Sequence, residues 1–373
     1  MTEVAASGAG AVRPDLGAAR LLRALLEAAD YGLMQGLLRT SHLRSPFIEP
    51  FTEPRILDAI SVCPPLSQIL LRVLTLGETL PRDEAEAVLG ADVVGELLTA
   101  GVLEPVEQDV RSRFIVTAYL GRYLLASPPL WLRPYDPAEP IAYIGPESYW
   151  LGRFVVNAAE RGRVLDLCAG AGLLSLLAGG EATIGVELDP AAAEVAAFNV
   201  ALNGLEEAVE LRVGDLYGPV AGERFDLIVA NPPFLPAPSG VTLPICGDGG
   251  SHGEDVLRRI VLGVEEHLSP GGQALVYGEG FGDEDEPVFA SWLRERVAGS
   301  GLRCVIYLGA EQSAEAAGIT LRQLWQAAGA SEELAYEAWG RLFDELEAPM
   351  HYSFVVKLGR GSGTVSVRRL IAI

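Results

Sequence analysis

The sequence predicts an α/β protein in which a mostly parallel sheet follows a mainly helical N-terminal domain. Helical periodicity dominates from Leu16 to Ser127, strand-like and helix-like segments alternate from Ser148 onward, and a Pro-rich stretch separates the two. The predicted boundaries are a disordered tail over 1–15, a winged-helix-like domain over 16–130, a linker over 131–147 and the sheet domain over 148–373.

The net charge of the chain limits the kinds of partner that it can bind. The 373 residues contain 50 acidic and 28 basic side chains, for a formal net charge of −22. This excess disfavours an electrostatic grip on nucleic acid or on an anionic membrane. The longest uncharged run, 227–247, contains five prolines, and no signal-peptide pattern opens the chain. We therefore expect a cytoplasmic protein without DNA or membrane partners.

The cysteines predict neither a metal site nor a disulfide framework. Cys63, Cys168, Cys246 and Cys304 form no Cys-x-x-Cys pair, and only four histidines accompany them. Structural zinc sites need such closely spaced ligands, and disulfide frameworks are typical of much shorter secreted chains.

The N-terminal domain has the element order of a winged-helix module. Its short helices and strands are predicted at Pro81–Leu89, Ala91–Ala100, Val102–Val106 and Arg113–Leu120. The second of these helices carries Asp92 and Glu96 and no basic residue, so it cannot contact phosphates. We expect this domain to cover a substrate or to form a homodimer rather than to bind DNA.

A glycine-rich turn supplies the first element of a ligand site. The apolar strand Arg163–Leu167 contains Asp166 and runs directly into Cys168-Ala169-Gly170-Ala171-Gly172, after which a helix begins. Glycine lets the backbone approach a ligand closely, and the helix N-terminus offers free N–H groups. Asp166, Cys168, Ala169, Gly170 and Gly172 are therefore candidate cofactor contacts.

Carboxylates at the next two strand ends complete the cofactor half of this site. Glu187 lies 21 residues after Asp166 and ends the second strand, where an acidic side chain can accept hydrogen bonds from ribose hydroxyls. Asp215 ends the third strand and can accept a hydrogen bond from an adenine amino group. Leu188 and Leu216 follow these carboxylates and are further candidates.

The fourth strand, Phe225–Ala230, runs into Asn231-Pro232-Pro233-Phe234. With these elements in order, the chain resembles class I S-adenosylmethionine-dependent methyltransferases. The tetrapeptide narrows the resemblance to enzymes that methylate planar nitrogens, such as the HemK-like protein-glutamine N5 methyltransferases and the rRNA guanine-N2 enzymes. It covers about Tyr149 to Phe281, including the loop Gly249–Gly253, and Cys168 replaces the family's first glycine.

The resemblance implies a Rossmann-like sheet with an antiparallel last strand and S-adenosyl-L-methionine as cofactor. It also implies that the Asn231 side-chain oxygen and the Pro232 carbonyl accept the two N–H bonds of the acceptor nitrogen, and that Asn231 lies beside the cofactor. An amide or aryl-amine lone pair is delocalised, so acceptors that orient the nitrogen and stabilise its developing positive charge favour transfer. Phe234 can stack on the planar group.

Further substrate contacts are predicted at Tyr149, Pro233, His252 and Glu279. His252 lies in the glycine-rich loop after the tetrapeptide, and Glu279 follows the fifth strand. The helical segment 313–346 is an insertion whose apolar residues either pack internally or line a lid over an apolar acceptor.

The acceptor itself stays open at this stage. Acidity, the non-basic N-terminal domain and the lid interpretation favour a small molecule of specialised metabolism. A protein glutamine is the alternative that the HemK-like tetrapeptide favours, and an RNA base is disfavoured by the charge. A protein that binds the cofactor without transferring methyl is a second alternative, against which the intact tetrapeptide weighs.

Overall fold

The computed structural model describes residues 15–42, 54–128, 142–158 and 162–370. The chain divides into two compact units that are not contiguous in sequence. The first comprises the described residues up to Pro146 together with Gly170–Leu176 and Asp189–Glu207, and the second comprises the remainder. The predicted tail, except Asp15, and most of the predicted linker lie outside the described residues, and the domain boundaries stay a prediction.

The described helices and the described strands are each numbered in chain order. The helices are α1 (Leu16–Ala28), α2 (Tyr31–His42), α3 (Pro54–Ser61), α4 (Pro65–Leu70, continued by a π-helical turn over Leu71–Thr75), α5 (Arg82–Leu89), α6 (Ala91–Thr99), α7 (Pro146–Val156), α8 (Leu173–Ala178), α9 (Pro190–Leu202), α10 (Asp255–His267), α11 (Phe289–Val297), α12 (Ala314–Ala327) and α13 (Glu332–Leu346). The strands are β1 (Leu80–Pro81), β2 (Leu103–Val106), β3 (Asp109–Ser112), β4 (Ile115–Tyr119), β5 (Arg122–Ala126), β6 (Arg163–Leu167), β7 (Ala182–Glu187), β8 (Val209–Val213), β9 (Phe225–Ala230), β10 (Leu268–Gly282), β11 (Leu302–Ser313), β12 (Met350–Arg360) and β13 (Val365–Arg369).

The first unit contains more strands than the sequence predicted. β1, β3 and β2 form a three-stranded sheet, and β4 and β5 form a separate hairpin. The predicted strand Arg113–Leu120 is only β4, while β3 and β5 were missed. Their turns place Glu107 and Leu120 at positive φ (56° and 46°), and neither turn has the Asn-Gly or Asp-Gly pair that marks a hairpin. The element order fits the predicted winged-helix-like module, which stays a prediction.

Helix α9 groups with the first unit through its asparagines. Asn199 accepts from the Leu125 N–H (2.7 Å) and donates to the Leu125 carbonyl (2.8 Å). Asn203 accepts from the Tyr123 N–H (3.0 Å) and donates to the Tyr123 carbonyl (2.7 Å). These two side chains therefore satisfy the backbone groups of alternate residues along β5, as a neighbouring strand would.

The second unit is built on one eight-stranded sheet in the order β13-β11-β12-β10-β9-β6-β7-β8. Strands β6 to β10 are mutually parallel, whereas β12 runs antiparallel to both β10 and β11. The predicted α/β class with a mostly parallel sheet is therefore confirmed. The antiparallel strand is followed by one more strand, because β13 pairs in parallel with β11 at the sheet edge.

A second apolar core forms around the helical insertion. α12 and α13 bury Leu321, Trp325 and Leu342 together with Phe281 of β10 and Leu243 of the loop after β9. The buried Trp325 Nε1 donates to the Pro236 carbonyl at 2.9 Å. Burying a tryptophan stabilises such a core strongly, and its N–H finds a partner. The insertion thus packs its buried apolar residues within the unit and contacts the segment that follows Phe234.

In the described ranges, no helix combines the length and apolar character that spanning a bilayer requires.

Candidate functional site

The carboxyl ends of the central strands meet at one edge of the sheet in the second unit. Leu167 of β6 is in register with Val186 of β7 and with Ala230 of β9, and Ala230 is in register with Val276 of β10. In open α/β sheets, ligands bind at this edge. The register therefore aligns the ends of the strands that carry Asp166, Glu187, Asp215 and Asn231. Glu279 was expected to follow the fifth strand, but it lies within β10, because this strand continues to Gly282.

Cys168 and Ala169 follow β6 at this edge. Cys168 has φ 57°, and the Ala169 N–H donates to the Val186 carbonyl at 3.1 Å. Burial raises the pKa of the Cys168 thiol well above its ordinary value, and the neighbouring carboxylates of Glu187 and Asp166 raise it further. The neutral thiol is therefore a poor nucleophile, which fits its interpretation as a small residue at the turn.

Gly170 and Gly172 belong to the first unit, with φ values of 52° and 80°. A Cβ on Gly170 would meet no described atom within 4 Å, whereas one on Gly172 would lie 3.3 Å from the Cβ of Ala196. Gly172 thus permits close packing against α9, and Asn199 holds the turn by donating to the Ala171 carbonyl at 2.9 Å. Gly170 borders open space, as a ligand cradle requires.

Carboxylates and apolar groups alternate at the ends of β7 and β8. Glu187 is partly buried, and the next residue, Leu188, is 48% exposed. Asp215 is 53% exposed and forms an ion pair with Arg259 of α10 at 2.6 Å. Leu216 is buried with φ 46°. Carboxylate acceptors beside an exposed leucine suit the hydroxyl groups and flat apolar face of a nucleoside, so these residues fit the adenosine of S-adenosylmethionine.

Asn231, which follows β9, is the central polar residue of the second half of this sheet edge, the acceptor half. Its Nδ2 donates to Ser148 Oγ of α7 at 2.8 Å. Its Oδ1 is buried, and within the described ranges no group donates a hydrogen bond to it. A buried acceptor without a donor costs about 1–3 kcal/mol, so the arrangement favours a ligand that brings an N–H to this oxygen.

Aromatic side chains surround this position. Phe234 contacts Tyr277 edge-to-face with ring centroids 5.2 Å apart, and Trp150 of α7 contacts Tyr277 at 6.0 Å. Pro232 is buried, and Pro233 and Tyr149 are partly buried. The two prolines fix the backbone φ of the turn. The turn of the acceptor half is therefore stiff, and aromatic rings pack beside it.

Glu279 is part of a polar cluster with Tyr277 and His351, and 24% of its side chain is exposed. The Tyr277 hydroxyl donates to Glu279 Oε1 at 2.5 Å, and His351 Nε2 lies 3.6 Å from Glu279 Oε2. Burial raises the pKa of Glu279 to about 7, and burial lowers the pKa of His351 to about 4. At neutral pH His351 is therefore uncharged and Glu279 is partly protonated, so the two are not a full ion pair.

The loop Gly249–Gly253 folds back on the tetrapeptide. The Leu235 N–H donates to the Gly247 carbonyl, and the Gly249 N–H donates to the Leu235 carbonyl. Gly253 has φ 84°, and a Cβ there would lie 2.3 Å from the Phe234 carbonyl oxygen, so only glycine fits. His252, which is 38% exposed, contacts Glu345 of α13 at 3.1 Å. The structure thus engages His252 with the helical insertion.

Sequence reasoning missed four residues of this edge: Ser148, Arg259, Tyr277 and His351. Tyr277 was recognisable, because it ends the predicted strand Gln273–Tyr277 beside Glu279. Ser148 is separated from Asn231 by 83 residues, and no local pattern links the two. Only the tertiary fold brings such pairs together.

Comparison with known proteins identifies this chain as similar to methyltransferases. The family model for the methyltransferase small domain matches residues 151–283. A ribosomal protein uL3 glutamine methyltransferase from Bradyrhizobium diazoefficiens is 44% identical over 122 residues, 30% of this chain and 38% of that protein. The counterpart from Bordetella pertussis is 31% identical over 217 residues, 52% of this chain and 70% of that protein. A release factor glutamine methyltransferase from Gloeobacter violaceus is 28% identical over 179 residues, 38% and 63% of the two chains.

These matches span between 38% and 70% of the length of the three relatives. The range matched by the family model, residues 151–283, contains strands β6 to β10, the glycine turn and the tetrapeptide. The chain belongs to the HemK-like family of class I S-adenosylmethionine-dependent methyltransferases.

Proposed function

We propose that this protein transfers a methyl group from S-adenosylmethionine to the side-chain amide nitrogen of a glutamine in a protein acceptor. The observation that carries the proposal is the buried Oδ1 of Asn231, which finds no donor in the described part of the chain while Nδ2 is bound to Ser148. A primary amide has two N–H donors. Asn231 Oδ1 and the Pro232 carbonyl would accept one each.

A protein glutamine replaces the small molecule that the sequence favoured. The named relatives are glutamine methyltransferases of ribosomal protein uL3 and of release factors. The lid interpretation had supported a small acceptor, but α12 and α13 bury their apolar faces inside the unit. Acidity supports either class, because a net charge of −22 suits a basic protein acceptor as well as it discourages RNA.

The chemistry needs orientation more than it needs an acid or a base. The cofactor, when bound, supplies an electrophilic methyl group on a sulfonium. Asp166, Glu187 and Asp215 would hold it, together with the backbone of Cys168 and Ala169. Asn231 Oδ1 and the Pro232 carbonyl would orient the amide nitrogen and stabilise the positive charge that develops on it while the N–C bond forms and the C–S bond of the sulfonium breaks. The methylated nitrogen would then lose one N–H proton to solvent. Phe234, braced by Tyr277, would pack on the amide plane.

S-adenosylmethionine with a labelled methyl group tests this proposal. Purified protein is incubated with it and with bacterial lysate, and the labelled material is divided into protein, RNA and small-molecule fractions. We expect protease-sensitive label and N5-methylglutamine in the labelled peptides by mass spectrometry, both absent with Asn231→Ala. Label in RNA, or only in the small-molecule extract, would refute the protein-glutamine proposal.

A further inference from the structure

We infer that Ser148 is a positioning residue for methyl transfer, because its hydroxyl oxygen accepts a hydrogen bond from Asn231 Nδ2 and leaves Oδ1 to face the acceptor. This inference rests on the function proposed above. The contact behind it is the 2.8 Å hydrogen bond from Asn231 Nδ2 to Ser148 Oγ. Ser148 is itself buried, at the third residue of α7.

The two ends of an asparagine amide are similar in size and opposite in hydrogen-bonding role. Oδ1 accepts two hydrogen bonds and Nδ2 donates two. An acceptor amide brings N–H groups, so only the oxygen end of Asn231 can pair with it. A flipped side chain would present donors to donors and leave both unpaired in an apolar pocket, which costs far more than the bond itself is worth.

Ser148 favours the productive orientation when the acceptor is present. The Ser148 hydroxyl oxygen accepts a hydrogen bond from Nδ2. A chain of hydrogen bonds would therefore run from the acceptor N–H to Asn231 Oδ1 and from Nδ2 to Ser148. Donation from Nδ2 also polarises the amide and strengthens Oδ1 as an acceptor. Because α7 carries Ser148, the rigid helix rather than a loop fixes the position of the amide.

Side-chain amide NMR tests the contact without any acceptor. The sequence contains four asparagines, so selective ¹⁵N-asparagine labelling gives four side-chain amide signals, and Asn231→Asp identifies the one of interest. We expect slow proton exchange at Asn231 Nδ2 in the wild type, about tenfold faster exchange in Ser148→Ala, and retention of slow exchange in Ser148→Thr. Ser148→Cys, with similar volume and weaker hydrogen bonding, serves if Ser148→Ala does not fold.

A matched control separates this effect from general loss of a buried serine. Ser67 is also buried, and its hydroxyl donates to the Ala29 carbonyl at 2.9 Å in the first unit. Ser67→Ala should leave the Asn231 signal and the kinetic constants unchanged. The kinetics of glutamine methylation, measured with acceptor protein from lysate, then test whether the lost contact lowers the rate of methyl transfer. We expect kcat to fall about tenfold in Ser148→Ala, with unchanged cofactor affinity and recovery in Ser148→Thr.

The outcomes are distinct. An Asn231 signal that is unchanged in Ser148→Ala overturns the inference, and so does an altered signal with an unaltered kcat. Loss of cofactor affinity in step with kcat would also overturn it, since a positioning residue for the acceptor should spare the cofactor. If the wild type methylates no glutamine while the signal responds as expected, the proposed function fails and the Ser148 contact is confirmed.

Discussion

The cofactor half and the acceptor half of the sheet edge handle polar groups in different ways. At the ends of β7 and β8, Asp215 is more than half exposed and pairs with an equally exposed arginine. In the acceptor half, Asn231 follows β9 and Glu279 lies within β10, and each is held by one short hydrogen bond from or to a neighbour. Water reaches the first half more easily, because Asp215 is 53% exposed, whereas Glu279 is 24% exposed and Asn231 Oδ1 is buried. Polar substitutions should therefore have larger effects in the acceptor half.

The largest effect is expected at Asn231. Asn231→Ala removes an oriented acceptor in an apolar pocket, so kcat for methyl transfer should fall about 100–1,000-fold. Affinity for S-adenosylmethionine, measured by calorimetry, should change little. Asn157→Ala is the control, because Asn157 is exposed and donates to the Arg153 carbonyl of α7. Undiminished transfer in Asn231→Ala would remove the distinction between the halves.

Glu187 should give the next largest effect, confined to the cofactor. Glu187→Ala is expected to weaken S-adenosylmethionine binding by about 1–3 kcal/mol and to leave kcat at saturating cofactor near the wild-type value. Glu181→Ala provides the control, since Glu181 is exposed at the opposite end of β7. Unchanged affinity in Glu187→Ala would exclude Glu187 from the ribose site.

The carboxyl of Glu279 makes a smaller, pH-dependent contribution to stability. Its pKa is raised from 4.5 to about 7, so the folded protein binds more protons than the unfolded chain between these values. The free energy of unfolding therefore falls as pH rises from about 4.5 to 7. Glu279→Gln removes this loss, so its Tm relative to wild type should be higher at pH 8 than at pH 5, by the equivalent of about 1–3 kcal/mol.

Other titrating groups face Glu279 and act in their own pH ranges. His351, whose pKa is lowered to about 4, destabilises the fold as pH falls below 6.5, and Tyr277 and Glu147 are the other neighbours. Comparing Glu279→Gln with wild type at each pH cancels the contribution of His351. A difference in Tm that is the same at pH 5 and pH 8 would contradict the assignment.

The smallest effect is expected for the exposed ion pair. Arg259→Ala should change cofactor affinity by less than about 1 kcal/mol, and the change should vanish at 1 M salt, because solvent screens such pairs. Binding titrations at low and high salt measure this. A loss that exceeds tenfold and persists in salt would show that Arg259 itself contacts the cofactor, and the cofactor half would then resemble the acceptor half.

The sequence indicated residues at the strand ends of both halves, but not the partners that tertiary packing brings to them. Strand, glycine turn and terminal carboxylate are contiguous patterns, so Asp166, Glu187 and Asp215 were predictable from spacing. Ser148 and His351 reach the edge from α7 and β12, which lie far from the tetrapeptide in sequence, and their contacts depend on packing alone. The short hairpin strands of the first unit were missed because their turns use non-glycine residues at positive φ.

The position of β12 has a consequence for how this protein is made. β12 lies between β10 and β11, although the ribosome releases both of those strands before it. Until β12 emerges, β10 has an unpaired edge of ten residues facing the gap, and such edges recruit other chains. The parallel strands β6 to β9 can assemble earlier from consecutive segments. Among nascent chains stalled at different lengths, those that end between α13 and β12 should therefore aggregate most. Longer chains, which include β12, should no longer need a chaperone.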